Sequence, residues 1–216
     1  MTYVKICGIT NLEDALRAAA LGADLLGFVF HPPSPRYVTP KTAREIGAAV
    51  RREAPSVRTV GVFVDLPAET VRAIAIQCGL DCVQLHGSEP PATATHLADA
   101  GFEVFKAFRI RDGSELDRLD RYRVAAYLLD AYSPVLPGGT GHTFDWDLAV
   151  RAKEYGRIIL AGGLTPDNVA AAIQAVRPWG VDVSTGVEAA PGRKDHAKLE
   201  RFIAAVREIP QEDDDD

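Results

Sequence analysis

The chain has 216 residues, 47% of them hydrophobic and 25% charged, with a formal net charge of -6. These values exclude a disordered, collagen-like or disulfide-scaffold polypeptide, and the acidic balance argues against a nucleic-acid or anionic-membrane partner while leaving room for a local basic pocket. At this length the chain makes one large domain or two small ones and buries a full core without staples.

From the N-terminus, Tyr3-Val4-Lys5-Ile6-Cys7 reads as a first strand, and an amphipathic segment over residues 11–21 follows it. The same alternation then runs to the C-terminus. Apolar runs at 25–30, 58–64, 82–86, 103–110, 125–131, 157–161 and 181–184 are each followed by a segment of helical period, at 40–53, 67–78, 91–100, 114–122, 145–155, 166–176 and 195–209. Pro40, Pro67 and Pro166 stand at or near first helical turns, and Gly22, Gly79, Gly101 and Gly156 stand where helices should end. Strands apolar on both faces and separated by helices pair in parallel through right-handed crossovers.

Eight such units in 216 residues average 27 each, about the minimum for a strand, a helix and two short loops. The expected architecture is α/β, a single (β/α)8 TIM barrel over residues 1–210, with an acidic, solvated tail at 211–216. A doubly wound open sheet is the rival, but the first turn, Cys7-Gly8-Ile9-Thr10-Asn11, has no G-x-G-x-x-G pattern. No apolar run approaches the roughly 18 residues of a membrane span, no apolar signal core follows Met1, and the three cysteines are odd in number and irregularly spaced. The expectation is a cytoplasmic protein that meets no membrane, as a monomer or homodimer.

A barrel of this kind carries its site at the C-terminal ends of the strands. Glycines in Ala161-Gly162-Gly163-Leu164-Thr165 and Val183-Ser184-Thr185-Gly186-Val187 let backbone N–H groups approach a phosphate, at the position where this fold usually holds one. A single such loop would be read as a tight turn, whereas two in the expected places indicate a phosphorylated small molecule. Gly162, Gly163, Ser184, Thr185 and Gly186 are therefore the phosphate candidates.

Cys7 ends the first strand, where a cysteine is either an inert small hydrophobe or, beside a helix terminus or a cation, a reactive thiolate. Asp130 ends the sixth and is either a loop anchor or an acid. Strands one and six stand three steps apart round a closed sheet, so the two side chains face a ligand from different sides. Arg36, in the proline-stiffened His31-Pro32-Pro33-Ser34-Pro35-Arg36 loop, offers a fork for a carboxylate or phosphate, against the plain reading of a surface salt bridge. His86 is a satisfied strand-end histidine or a polar pocket wall. Gly138-Gly139-Thr140-Gly141 lacks the Lys-Ser/Thr ending of a phosphate-binding P-loop and reads as a lid. No histidine pair has ligand spacing, and no metal is expected.

Lys5-Ile6-Cys7-Gly8-Ile9-Thr10, Ser34-Pro35-Arg36-Tyr37-Val38, Val83-Gln84-Leu85-His86-Gly87, Leu128-Leu129-Asp130, Leu160-Ala161-Gly162-Gly163-Leu164 and Val181 to Glu188 stand in order across all eight units. Together with Gly138 to Gly141 and Thr143-Phe144-Asp145-Trp146, they resemble the phosphoribosylanthranilate isomerase family. The resemblance implies an Amadori rearrangement in tryptophan biosynthesis with no cofactor. It further implies Cys7 as general base, Asp130 as general acid, Arg36 on the anthranilate carboxylate, and the two glycine loops on the phosphate. An aldose-to-ketose shift is internal redox and needs only proton transfers. The competing readings are another sugar-phosphate barrel, such as an epimerase or an indole-forming relative, and a barrel that binds a sugar phosphate without turnover. Strand-end metal ligands and strand-end lysines, which the first would need, are missing from the sequence; fold and loops do not separate the second.

Overall fold

The computed structural model describes residues 1–111, 113–131 and 146–210. Eight parallel strands, β1 Tyr3–Cys7, β2 Leu25–Val29, β3 Arg58–Phe63, β4 Cys82–Leu85, β5 Glu103–Ile110, β6 Ala126–Ala131, β7 Ile158–Ala161 and β8 Gly180–Val183, form one closed barrel in sequence order. β1 closes it against β8 with Tyr3 beside Gly180 and Lys5 beside Asp182. Every strand falls within two residues of its predicted span.

The barrel closes because the strands are apolar on both faces. Outward residues such as Ile6, Leu26, Phe28, Phe63, Val83 and Leu129 pack against the helices in one continuous core. Inward residues Leu25, Val60, Cys82, Phe105, Leu128 and Ile159 fill the interior as a second core. Side chains alternate with period two, so the strand residues two positions beyond this inner core, such as Gln84 and Asp130, point into the mouth.

The outer helices are α1 Leu12–Ala20, α2 Pro40–Glu53, α3 Ala68–Cys78, α4 Pro91–Asp99, α5 Trp146–Ala152, α6 Val169–Val176 and α7 His196–Arg207. Asn11, Thr39 and Asp195 cap α1, α2 and α7 by accepting from backbone N–H groups, and the four glycines expected at helix ends all have positive φ.

One local expectation is corrected. The fifth helical segment is a 3-10 helix, Leu116–Arg121, whose buried residues Leu116 and Leu119 stand three apart; that spacing gives one apolar edge to a three-residue turn and too little to anchor an α-helix. The segment between β8 and α7 also holds structure the sequence did not announce. A 3-10 turn at Thr185–Val187 leads into an antiparallel hairpin, β9 Glu188–Ala190 and β10 Arg193–Lys194. The acidic tail at 211–216 lies outside the described residues.

Candidate active site

A cavity of about 550 Å³ opens at the C-terminal ends of the strands. Cys7 comes to it from β1, Arg36 from the β2–α2 loop, Gln84 and His86 from β4 and its end, and Asp130 from β6; Gly162 and Gly163 after β7 and Ser184 and Thr185 after β8 complete the wall. All the sequence-nominated residues among those described are thus in one place except Gly186, which lies just behind it. A Cβ on Gly186 would sit 1.9 Å from the carbonyl oxygen of Leu164, so glycine there lets the β8 loop close on the β7 loop. Gly138, Gly139, Thr140 and Gly141 lie outside the described residues.

At the β7 and β8 ends, Gly162 and Gly163 adopt φ of +82° and +69°. Asn168 fixes the loop that follows, accepting from Thr165 N at 2.8 Å and donating to the carbonyl of Gly163 at 3.0 Å. Ser184 Oγ is buried and has no hydrogen-bond partner among the described residues. A buried hydroxyl without a partner is costly and marks a place where a ligand oxygen would be favoured.

On the opposite wall, Gln84 Nε2 lies 2.8 Å from His86 Nδ1. The two side chains share a hydrogen bond whose donor is set by the ring tautomer. His86 Nε2 stands 3.5 Å from Asp130 Oδ2. Gln84 is itself buried, with Oε1 unpartnered. His86 is thus a polar wall of the cavity, as the second of its two readings had it, and it stands between Gln84 and Asp130.

Arg36 is committed to more than a surface bridge. Its Nε and Nη2 donate to Glu188 Oε1 and Oε2 at 2.8 and 2.6 Å, a bidentate pair with Glu188 buried and Arg36 nearly so. Gly8 makes the crossing possible, since a Cβ there would meet Arg36 Cδ at 2.6 Å. Burial alone would push the Glu188 carboxyl up, but Arg36 and Lys194 overcome it and hold it below the usual carboxylate value. Lys194, from β10, runs under the mouth: its Nζ donates to the carbonyl of Cys7 at 2.6 Å and of Ser184 at 3.3 Å and pairs with Glu188 Oε1 at 3.2 Å.

Cys7 is buried at the cavity floor. The expectation that a nearby positive charge favours its thiolate holds only in part. Burial pushes the thiol up, and although the ammonium groups of Lys5 and Lys194 pull it down, the net shift is upward. All three cysteines are free; Cys82, dry in the barrel core, is pushed up to about 12 and is inert. Among the described residues no group of three or more His, Cys, Asp or Glu side chains gathers as a metal site would require, and no helix is long and apolar enough to cross a membrane.

Lys5, Gln84 and Asp182 carried no role in the sequence reading although period two contained the signal. Each stands two residues before a nominated residue, Cys7, His86 and Ser184 respectively, and so shares its inward face. Lys194 and Glu188 had no such signal, because their placement depends on the hairpin.

Comparison with known proteins agrees with this geometry. The family model described as N-(5'phosphoribosyl)anthranilate (PRA) isomerase matches residues 4–205. A curated N-(5'-phosphoribosyl)anthranilate isomerase of Geobacter metallireducens is 57% identical over 207 residues, 96% of this chain and 100% of that one. The crystal structure of phosphoribosyl anthranilate isomerase from Thermotoga maritima superposes with a TM-score of 0.89 at 44% identity, covering 97% of this chain and 100% of that one. A further structure of such an isomerase, in complex with reduced 1-(o-carboxyphenylamino)-1-deoxyribulose 5-phosphate, gives a TM-score of 0.86 at 41% identity, again covering 97% and 100%.

Proposed function

The chain belongs to the N-(5'-phosphoribosyl)anthranilate isomerase family, and on that premise we propose how its residues carry the aldose-to-ketose rearrangement of tryptophan biosynthesis. The observation that supports the assignment is the joint presence, in one cavity, of the Cys7 thiol and the Asp130 carboxyl on separate strands and of the loops at Gly162-Gly163 and Ser184-Thr185.

The ligand of the related complex has a phosphate at one end and an aryl carboxylate at the other. Here the phosphate would lie on the Gly162-Gly163 and Ser184 to Gly186 loops, with Ser184 Oγ donating to it. The carboxylate would meet the free edge of the Arg36 guanidinium, whose other edge Glu188 holds. Small-molecule substrate and no cofactor are the partners this reading needs.

Asp130 protonates the furanose ring oxygen as the nitrogen lone pair expels it from C1, opening the sugar to an iminium. Cys7 as thiolate then takes the C2 proton; the C–H electron pair becomes the C1–C2 double bond and the C1–N π pair returns to nitrogen. The resulting enolamine tautomerises to the ketone. The C1–O bond breaks heterolytically, π bonds shift and protons move, with no net change in oxidation state, so the atoms and electrons balance without an external oxidant. In the tautomer that carries its proton on Nε2, His86 orients Asp130 and supports its carboxylate once the proton has left.

The test uses phosphoribosylanthranilate generated enzymatically and follows loss of anthranilate fluorescence. The wild type should turn it over, and Cys7→Ala and Asp130→Asn should each lose on the order of 10²–10⁴-fold in kcat. Full activity in both variants would sink the acid–base assignment, and an inactive wild type would favour binding without turnover.

A further inference from the structure

Beneath Cys7 the barrel holds a lysine in a dry place. Lys5 precedes Cys7 by two residues on β1, shares its inward face, and is 1% exposed. Its Nζ donates to Asp182 Oδ1 at 2.9 Å across the β1–β8 seam. The Cys7 sulfur stands on the same side of β1, close enough for the ammonium to act on it electrostatically. The opposite neighbour, Gly27 on β2, makes the room: a Cβ there would lie 2.9 Å from Cys7 Sγ and 3.1 Å from Lys5 Nζ. A charged side chain buried this deeply is rarely kept for stability alone, because apolar residues of similar volume commonly do as well.

We propose that the Lys5 ammonium, anchored by Asp182, is the counter-ion of the Cys7 thiolate, a positioning residue that governs how much of the base is ionised at the floor of the cavity. The proposal rests on the reading of Cys7 as the base. Four charged groups act on the sulfur electrostatically: Lys5 from its own strand, Asp182 from β8, Lys194 from β10 and Arg36 from the β2–α2 loop. Arg36 is clasped by Glu188, and Lys194 is committed to two backbone carbonyls and the same Glu188. Lys5 has one carboxylate partner, Asp182, and its ammonium shares the space beside Gly27 with the Cys7 sulfur. Asp182 and Cys7 hold it charged well above neutral pH against the cost of burial. When Cys7 takes the C2 proton, the negative charge leaves the sulfur and Lys5 keeps Asp182 as its partner, so the ammonium is never stranded.

The experiment reads ionisation apart from turnover: the rate of iodoacetamide alkylation at Cys7, followed by peptide mass spectrometry across pH, in the wild type, Lys5→Met and Asp182→Asn. Lys5→Met should move the midpoint upward by about one unit or more, roughly tenfold less thiolate at neutral pH. Asp182→Asn, which removes an anion near the sulfur, should move it downward. The opposite signs protect the test against a general loss of packing, and circular dichroism checks that each variant folds. In parallel, the basic-pH rise of kcat for Lys5→Met should shift with the alkylation midpoint. Unchanged midpoints in both variants would overturn the proposal while leaving Cys7 as base untouched. A shifted midpoint together with full activity of Cys7→Ala would uphold the pairing and overturn the base.

Discussion

Gly186 and Arg36 show how much single residues decide here. Gly186 is required by packing and not by φ: its missing Cβ is what lets the β8 loop lie against the carbonyl of Leu164. Gly186→Ala should force the two phosphate loops apart, costing about 1–3 kcal/mol of stability and weakening inhibition by inorganic phosphate. Urea unfolding and inhibition titrations check the two effects separately, and unchanged phosphate affinity would remove this loop from the site. Arg36 was readable as a carboxylate fork, but its fixed partner was not. Glu188→Gln keeps the shape and removes the charge that holds the guanidinium, so KM should rise by about tenfold, worth roughly 1.4 kcal/mol, while kcat changes little. Steady-state kinetics checks it; a fall in kcat alone would show that the clamp serves the chemistry and not binding.

At the scale of elements, the β9–β10 hairpin ties the mouth to the outside of the barrel. Asp14 in the first turn of α1 accepts from the backbone N–H of Lys194 at 2.8 Å, from Asn11 Nδ2 at 2.7 Å, and pairs with His196 Nε2 at 2.9 Å. Through that carboxylate α1 and the start of α7 pin β10, from which Lys194 reaches under Cys7. Burial pushes the Asp14 carboxyl up, but these hydrogen bonds prevail and hold it below its ordinary 3.8. Its folded value being lower than its unfolded one, Asp14 stabilises the fold fully above the ordinary carboxylate range, and the contribution is lost as pH falls through that range toward the lower folded value. Glu188, depressed for the same reason by Arg36 and Lys194, adds to the effect in the same window. Asp14→Asn should therefore be less stable than the wild type at neutral pH and show a flatter loss of stability below about pH 4. Urea unfolding between pH 3 and 7 measures it, and parallel curves would remove Asp14 as a source of the acid dependence.

Across the whole molecule, two cores share one sheet. The inner one is small, and Phe105 is among its largest members, fully buried with its ring edge-on to Trp179 at a centroid distance of 6.2 Å. Phe105→Ala should cost about 3–5 kcal/mol, read as a lower denaturant midpoint at unchanged slope. A cost under 1 kcal/mol would mean the interior collapses to fill the gap. Free, buried cysteines add no covalent staple.

The sequence by itself determined the eight strands, their parallel closure and the list of strand ends that form the mouth, because hydrophobic period and turn residues are local properties of the chain. It also placed Cys7, His86, Asp130 and the two glycine loops at the mouth, since strand-end position is read from the same periodicity, and Arg36 in the loop that follows β2. Only the tertiary structure decided what those groups touch. The Arg36–Glu188 fork spans 152 residues, the Lys5–Asp182 pair 177, and the Lys194 contact to Cys7 187. Such partners meet only when β1 closes on β8 and the hairpin folds back over the seam. Charge, burial and orientation at the site follow from that closure, and no local pattern in the chain encodes the distance between two residues that meet across it.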